Sequence, residues 1–305
     1  MDQSPDKISE AEARDALIRS GYLLENRLDS VLSEHEYYVE ANSPYPDPST
    51  GKSRELDIHA LRGFEAGPEE RDFVFANVLI ECVNNPQPVA FITKEPLLSS
   101  FHVQEVKMAG LPVKVRKEKS GEWMRLSDYL TMSDFHHYCQ GRVATQYCSF
   151  KRKEKKTPWM AWHEESHYDI FRTLGIVVNH HIREHFDSWF HRETENINLG
   201  LYYPIVVFQG DVWEVRQDTE PLTIASVDHI RFRLSSFTLE RQDYQIDIVT
   251  EKFVPQLLRI IDEEVSRICR LLRRRKKEVR SSIDEIVQRL QEAKTAEQRR
   301  KVFEL

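Results

Sequence analysis

The 305-residue chain has no apolar run approaching the ~20 residues a membrane-crossing helix needs. Its first residues, M-D-Q-S-P-D-K, lack the basic-then-apolar form of a signal peptide. The expectation is a cytoplasmic protein without a membrane partner. Only four cysteines are present, Cys82, Cys139, Cys148 and Cys269, with no C-x-x-C pair among them. That spacing fits reduced thiols rather than a disulfide framework or zinc knuckle. Basic charge is not in excess either: 43 Lys and Arg against 50 Asp and Glu leave a net charge of -7. Nucleic-acid binding therefore cannot rest on bulk charge and has to use local patches. Hydrophobic residues at 40% and charged ones at 30% describe a globular chain, long enough for one elaborated domain or two modest ones.

The most informative stretch runs from Ser53 to Asn84. It reads S-R-E-L-D-I-H-A, then a polar loop, then F-V-F-A-N-V-L-I-E-C-V-N. Both halves read as buried strands that carry carboxylates among Val, Ile, Leu and Phe. An unpaired charge in an apolar interior costs several kcal/mol, so a buried Asp57 or Glu81 calls for a cation, a hydrogen-bond network or a raised pKa. On adjacent strands the two would form one acidic pocket, and the period of two puts Val83 on the face of Glu81. Upstream, Ser9 and Glu12 form a capping box opening a helix to about Ser33. Its inward stripe is Ile18, Gly21, Leu28 and Leu32, with Glu25 in the middle. Glu25 is thus either a salt-bridged edge residue or a third acidic group beside the pocket.

Asp57 followed by Glu81-Cys82-Val83, with the upstream Glu25 and the turn P-D-P-S-T-G-K, resembles the PD-(D/E)xK, restriction-endonuclease-like superfamily. The resemblance covers the first third of the chain and the rest in outline. It implies an α/β (α+β) fold with a central mixed sheet flanked by helices. It also implies phosphodiester hydrolysis of DNA, with Mg²⁺, or Mn²⁺ in its place, held by Asp57 and Glu81 beside Glu25. Where the superfamily has its catalytic Lys, this chain has Val83. Activity would need a relocated cation, for which Lys94, Lys52 and Arg54 are the nearest by sequence. Losing one electrostatic stabiliser typically costs ~10²–10³ in rate.

Along the chain, strands are expected at Tyr37 to Ala41, about Arg54 to Leu61, Phe73 to Val83 and Val89 to Thr93, the last an edge strand. Asn42 to Lys52, with three prolines and a glycine, reads as a turn. Residues 94–158 read as an insertion, with strands at Val113 to Lys117 and Val143 to Phe150 and a helical piece at Leu126 to Tyr138. A long helix is expected from Trp162 to Phe190, with Phe171, Leu174, Val178, Ile182, Phe186 and Trp189 at helical spacing. P-I-V-V-F and D-V-W-E-V suggest a hairpin about Gln209-Gly210, with two further strands at D-H-I-R-F-R-L and Y-Q-I-D-I-V-T. The nuclease-like core is thus placed at 1–250 and a helical extension at 251–305. In the extension, Val254, Leu257, Leu258, Ile261, Val265, Ile268 and Leu272 form a heptad-like stripe, and Ser282 and Glu285 cap a second helix.

H-E-x-x-H occurs at His163 to His167, a zinc-peptidase pattern when it lies on a helix. The polar x positions argue against it. So does the separation of about 27 Å between His163 and the second pair, His181 and His185, on one straight helix. Exposed helix-surface histidines are the expectation. Basic runs at Lys151-Arg152-Lys153 to Lys156 and Arg273-Arg274-Arg275 to Lys277, with Lys52 and Arg54, are candidate nucleic-acid contacts, or else solvated loops and helix ends. Three classes follow: a Mg²⁺-dependent nuclease, a catalytically inactive nucleic-acid-binding relative of one, and a protein-interaction module or homodimer joined through the C-terminal helices.

Overall fold

Alternating burial along two long strands builds the centre of the molecule. The computed structural model describes residues 7–20, 22–47, 51–67, 71–190, 196–236 and 242–293, together with 295 and 298. In chain order the elements are α1 (Glu10–Ser20), α2 (Tyr22–Glu34), β1 (Tyr38–Pro46), β2 (Ser53–Glu65), β3 (Phe73–Val83) and β4 (Val89–Lys94). Next come β5 (Lys107–Leu111), β6 (Lys114–Arg116), β7 (Trp123–Arg125), α3 (Leu126–Tyr129), β8 (Val143–Lys151), β9 (Met160–Trp162) and α4 (Glu165–Phe190). The chain continues through β10 (Asn198–Phe208), β11 (Val212–Arg216), β12 (Thr223–Val227), β13 (His229–Ser236) and β14 (Gln242–Thr250) to α5 (Val254–Arg274) and α6 (Lys276–Glu292).

Among the described residues a 12-stranded mixed sheet runs β1-β2-β3-β10-β14-β13-β8-β4-β11-β12, with β5 on β10 and β9 on β8. The expected mixed sheet flanked by helices is present. In β3 the side chains Val74, Ala76, Val78 and Ile80 face one core, shared with Leu24, Leu28 and Leu32 of α2 and with α5 and α6. Leu79 and Val83 face the other core, with Phe171, Leu174 and Val178 of α4. Two apolar faces on one strand are the mark of a sheet covered on both sides. Residues 94–158 are woven into it, since β8 lies between β13 and β4.

Several expectations are corrected. The N-terminal helical stretch comprises α1 and α2, with Gly21 between them outside the described residues, and Ile18 is 50% exposed rather than inward. The capping box is present, with Ser9 N donating to Glu12 Oε2 at 2.9 Å and Glu12 N to Ser9 Oγ at 3.3 Å. β1 continues through Ser43, Pro44, Tyr45 and Pro46, paired with β2, where a turn was expected. Proline is tolerated there because β1 is an edge strand whose outer amides need no partner. Pro48, Ser49 and Thr50 of the turn lie outside the described residues. β4 is interior, between β8 and β11, not an edge.

The helical piece from Leu126 stops at Tyr129 and gives way to 3₁₀ turns at Met132–Asp134 and His137–Cys139. The long helix starts at Glu165, since Met160–Trp162 pairs with β8 as a strand. Trp189's side chain is outside the described set. β10 and β11 are no hairpin: β10 pairs with β3 and β14, β11 with β4 and β12. Both neighbours run on together, because Gln209 N donates to Val83 O at 2.9 Å and Val89 N to Asp211 O at 3.1 Å. The stripe of α5 is buried in the chain's own core, as are Ile283, Ile286, Val287 and Leu290 of α6. These apolar faces are therefore covered by the chain itself and offer nothing to a second copy. Ser282 does not cap α6; it lies within the helix, accepting from Arg116 N at 2.9 Å and donating to Glu278 O at 2.7 Å.

Candidate functional site

The β2–β3 ladder is regular from Glu65↔Phe73 to Ile58↔Ile80 and stops there. Beyond it, the Asp57 carboxylate takes the next amide, accepting from Cys82 N at 2.7 Å. On the other side of β2, Asn42 has a φ of 53° and drops out of the β1 register between Ala41↔Ile58 and Ser43↔Leu56. Strands that part at one point expose both a carboxylate and an unpaired segment. Asp57 and Glu81 lie where these strands part.

α2 completes the cluster. Its apolar Leu24 and Leu28 are buried on the sheet, and that seating points the intervening Glu25 toward Asp57. The three carboxylates sense one another. Burial and then the charge of Asp57 push Glu25 up, and burial raises Asp57 against the opposing Cys82 amide. Burial, then Asp57 and Glu25, push Glu81 up to about 9. Glu81 Oε1 is enclosed without a hydrogen-bond partner. Among the described residues, none of the three carboxylates has a basic ion-pair partner.

The candidate cations are placed differently. Val83, at the position of the superfamily's Lys, is 6% exposed and part of the α4-side core. Lys94 lines a different cleft, of about 800 Å³, with Phe101, Lys107, Arg125 and Arg233. Arg54 is paired elsewhere, its Nε with Asp47 Oδ2 at 2.7 Å. Tyr45 connects them, because its hydroxyl is bonded to Thr173 of α4 and senses Glu81, Arg54 and Asp47 together. Lys52 is exposed on the β1–β2 turn, where its carbonyl accepts from Asp47 N at 2.9 Å.

The two basic runs also differ. Lys151 Nζ sits 3.3 Å from the ring centre of Trp162, and the Arg152 guanidinium 4.7 Å from that of Trp159. Both tryptophans are exposed, and Lys153 is exposed beside them, so β8 and β9 end in a basic, aromatic tip. Arg273 and Arg275 are instead tied inward, Arg273 donating to Glu65 O at 2.6 Å and Arg275 to Tyr129 O. Only Arg274 of that triplet is exposed without such a tie among the contacts described.

The H-E-x-x-H segment does not form one helical face, because His163 precedes α4. His163 is exposed, but His167 is buried at Ser149, with 3.3 Å between Nδ1 and Oγ, which corrects the expectation of surface histidines. His181 packs against His59 with ring centres 4.5 Å apart. Burial, then His59 and His180, push His181 from 6.5 down to about 3. The unfolded chain then binds a proton near pH 6.5 that the folded chain refuses, so stability falls as pH drops through that window. His181→Gln is expected to flatten this acid limb by about 1–2 kcal/mol between pH 6.5 and 4. Urea midpoints at the two pH values measure it, and an unchanged slope would contradict the assignment.

One cluster was not foreseen from the sequence. His137 lies between two buried carboxylates, with Nδ1 3.0 Å from both Glu264 oxygens and Nε2 3.0 Å from Asp247 Oδ2. His229 Nε2 meets the other Asp247 oxygen at 2.8 Å. Although burial opposes it, Glu264 and then Asp247 hold His137 up to about 10. His136, stacked on His137, is fully buried and pushed down to about 4 by burial. The adjacent histidines were visible as H-H-Y-C, but Glu264 is 127 residues from His137, and nothing local links them. Compared with known proteins, the chain matches no family model, no curated protein and no solved structure.

Proposed function

We propose that the chain is a nucleic-acid-acting protein with a divalent-cation site at Asp57 and Glu81, flanked by Glu25, and that DNA is its substrate. The observation carrying this reading is the enclosed Glu81 Oε1, without a partner, in a group of three carboxylates with no basic counter-charge among the described residues. A carboxylate cluster of that kind is balanced by a hard divalent cation with oxygen ligands, so the residues fit Mg²⁺ or Mn²⁺. A cation bound there supplies charge neutralisation to a phosphodiester and lowers the pKa of water.

The chain's own groups do the remaining work. Asp57 is oriented by the Cys82 amide. Glu81 holds a proton at neutral pH when the site is empty and gives it up when counter-charge is present. Arg54, held by Asp47 near Tyr45, is the cation on this side and takes the place of Lys94 in the proposal. The tip of Lys151, Arg152, Trp159 and Trp162 offers phosphate contacts and base stacking. It feeds into α4, whose Thr173 lies about 12 Å along the helix from Glu165 and bonds Tyr45 beside the acids.

Calorimetric titration with Mg²⁺ and Mn²⁺, alongside cleavage of plasmid DNA, tests this on wild type and Asp57→Ala. Binding and cleavage in wild type, both lost in the mutant, are expected. Folded wild type that binds neither ion would overturn it. Val83 favours a second reading, a nuclease-like binder without turnover. It is distinguished by DNA affinity that falls steeply with salt, as counterion release requires, in the absence of any cleavage.

A further inference from the structure

A second constellation lies away from the carboxylates of β2 and β3. One ligand atom from each of His136, His137 and Glu264 lies within 4.8 Å of the others, and all three residues are buried. Ligands about 2.0–2.2 Å from a tetrahedral zinc are about 3.3 Å apart. Here Glu264 Oε2 is 3.0 Å from His137 Nδ1 and 3.7 Å from His136 Nε2. His136 Nε2 is buried with no hydrogen-bond partner, an uncommon state for an imidazole nitrogen in a protein interior.

We propose that His136, His137 and Glu264 form a transition-metal site of the zinc type, with two imidazoles and one carboxylate. Its second layer fits. The far nitrogen of His137 meets Asp247, which also holds His229, and a carboxylate behind a ligating histidine fixes its tautomer and raises its basicity. Arg231 braces the same turn by donating to the carbonyls of His137 and Tyr138. The contact that yields on loading is Tyr138 N to His136 Nδ1, already long at 3.2 Å, because Nδ1 takes the proton when Nε2 binds metal. His137 and Glu264 line a cleft of about 650 Å³ with Arg62, Phe135 and Arg267. The fourth position is thus available to water or an anion, as in catalytic rather than closed structural zinc sites. The ligands come from the 3₁₀ turn after α3 and from α5, so the ion would clip the 94–158 segment onto the C-terminal helices.

The full chain, stripped with chelator and dialysed, is titrated with Zn²⁺ by calorimetry, and with Co²⁺ by its visible absorption. A tetrahedral Co²⁺ spectrum that one equivalent of Zn²⁺ abolishes is expected, since Co²⁺ held only by the oxygen ligands of β2 and β3 absorbs weakly. His136→Phe keeps a ring between Tyr138 and Tyr203 and should weaken Zn²⁺ about 100-fold or more, while Asp247→Asn should weaken it about 10–100-fold. The tetrahedral Co²⁺ band, which needs the imidazoles, should be lost in His136→Phe and kept in Glu81→Gln, where only oxygen-ligated uptake is removed, and this separates the site from the one proposed above. Folded wild type that takes up no Zn²⁺ would overturn the proposal and leave His137 as an imidazolium between two carboxylates. A tetrahedral Co²⁺ band that survives His136→Phe, or is lost in Glu81→Gln, would overturn it as well.

Discussion

Glu81→Gln is expected to make the metal-free protein more stable at pH 7 and to abolish its stabilisation by Mg²⁺ or Mn²⁺. Burial and the neighbouring Asp57 and Glu25 raise Glu81 from 4.5 to about 9. Between those values the folded chain keeps a proton that the unfolded chain releases, so this group costs stability as pH rises from 4.5 toward 9. At pH 7 the cost reaches about 3 kcal/mol at most, and partial solvent contact at the strand gap reduces it to about 1–2. Glutamine, neutral at every pH, escapes the cost, so the mutant's advantage should grow from near zero at pH 4 to a few degrees of Tm at pH 7. Saturating divalent cation should raise the Tm of wild type by mass action and leave the mutant unmoved. Thermal scans at the two pH values, with and without ion, measure all four arms. A mutant less stable than wild type at pH 7 would mean that Glu81 is ionised and already satisfied, which removes the cation site.

Phe91→Ala is expected to cost about 3–5 kcal/mol, the range for emptying a large aromatic from a closed core. Phe91 is fully buried on β4 at the centre of a ring cluster, with Phe232 at 5.8 Å, Tyr147 at 6.0 Å and Phe171 and Phe208 at 6.3 Å between centres. These neighbours come from β13, β8, α4 and β10, so they cannot collapse into the void without moving separate elements. Phe91→Leu should lose much less, and Ile224→Ala on the exposed face of β12 under about 0.5 kcal/mol. Urea midpoints at constant m-value decide it. A loss below 1 kcal/mol for Phe91→Ala would show that the core on the α4 side relaxes freely. Since Phe171 is two residues from Thr173, the same void should also loosen the Tyr45 contact beside Glu81.

Local signals carried part of this far. β3 lies at the expected residues because eleven consecutive positions from Phe73 to Val83 are apolar enough for both faces of a covered sheet. The meeting of Glu25, Asp57 and Glu81 was legible because each stood out among apolar neighbours. Pro44 and Pro46 hid the second half of β1, since proline excludes an interior strand but not an edge. The β10–β11 turn was misread because the partners that draw these strands apart, β3 and β4, are more than a hundred residues upstream. His136, His137 and Glu264 escaped for the same reason: each local context is ordinary, and only long-range packing assembles the set.

The pairing of β3 with β10 has a further consequence for how the chain is made. Asp72, at the head of β3, accepts from Ile197 N across 125 residues, and the two strands then pair from Phe73↔Asn198 to Val83↔Phe208. Contacts of such range form slowly, because a long loop must close before they contribute. The strand bearing Glu81 therefore leaves the ribosome well before its neighbour exists, and in that interval one apolar edge of β3 is bare. Bare edges invite pairing between chains. A fragment ending near residue 150 would carry all three carboxylates and still lack the strand that closes the sheet over them, so its dominant behaviour would be self-association.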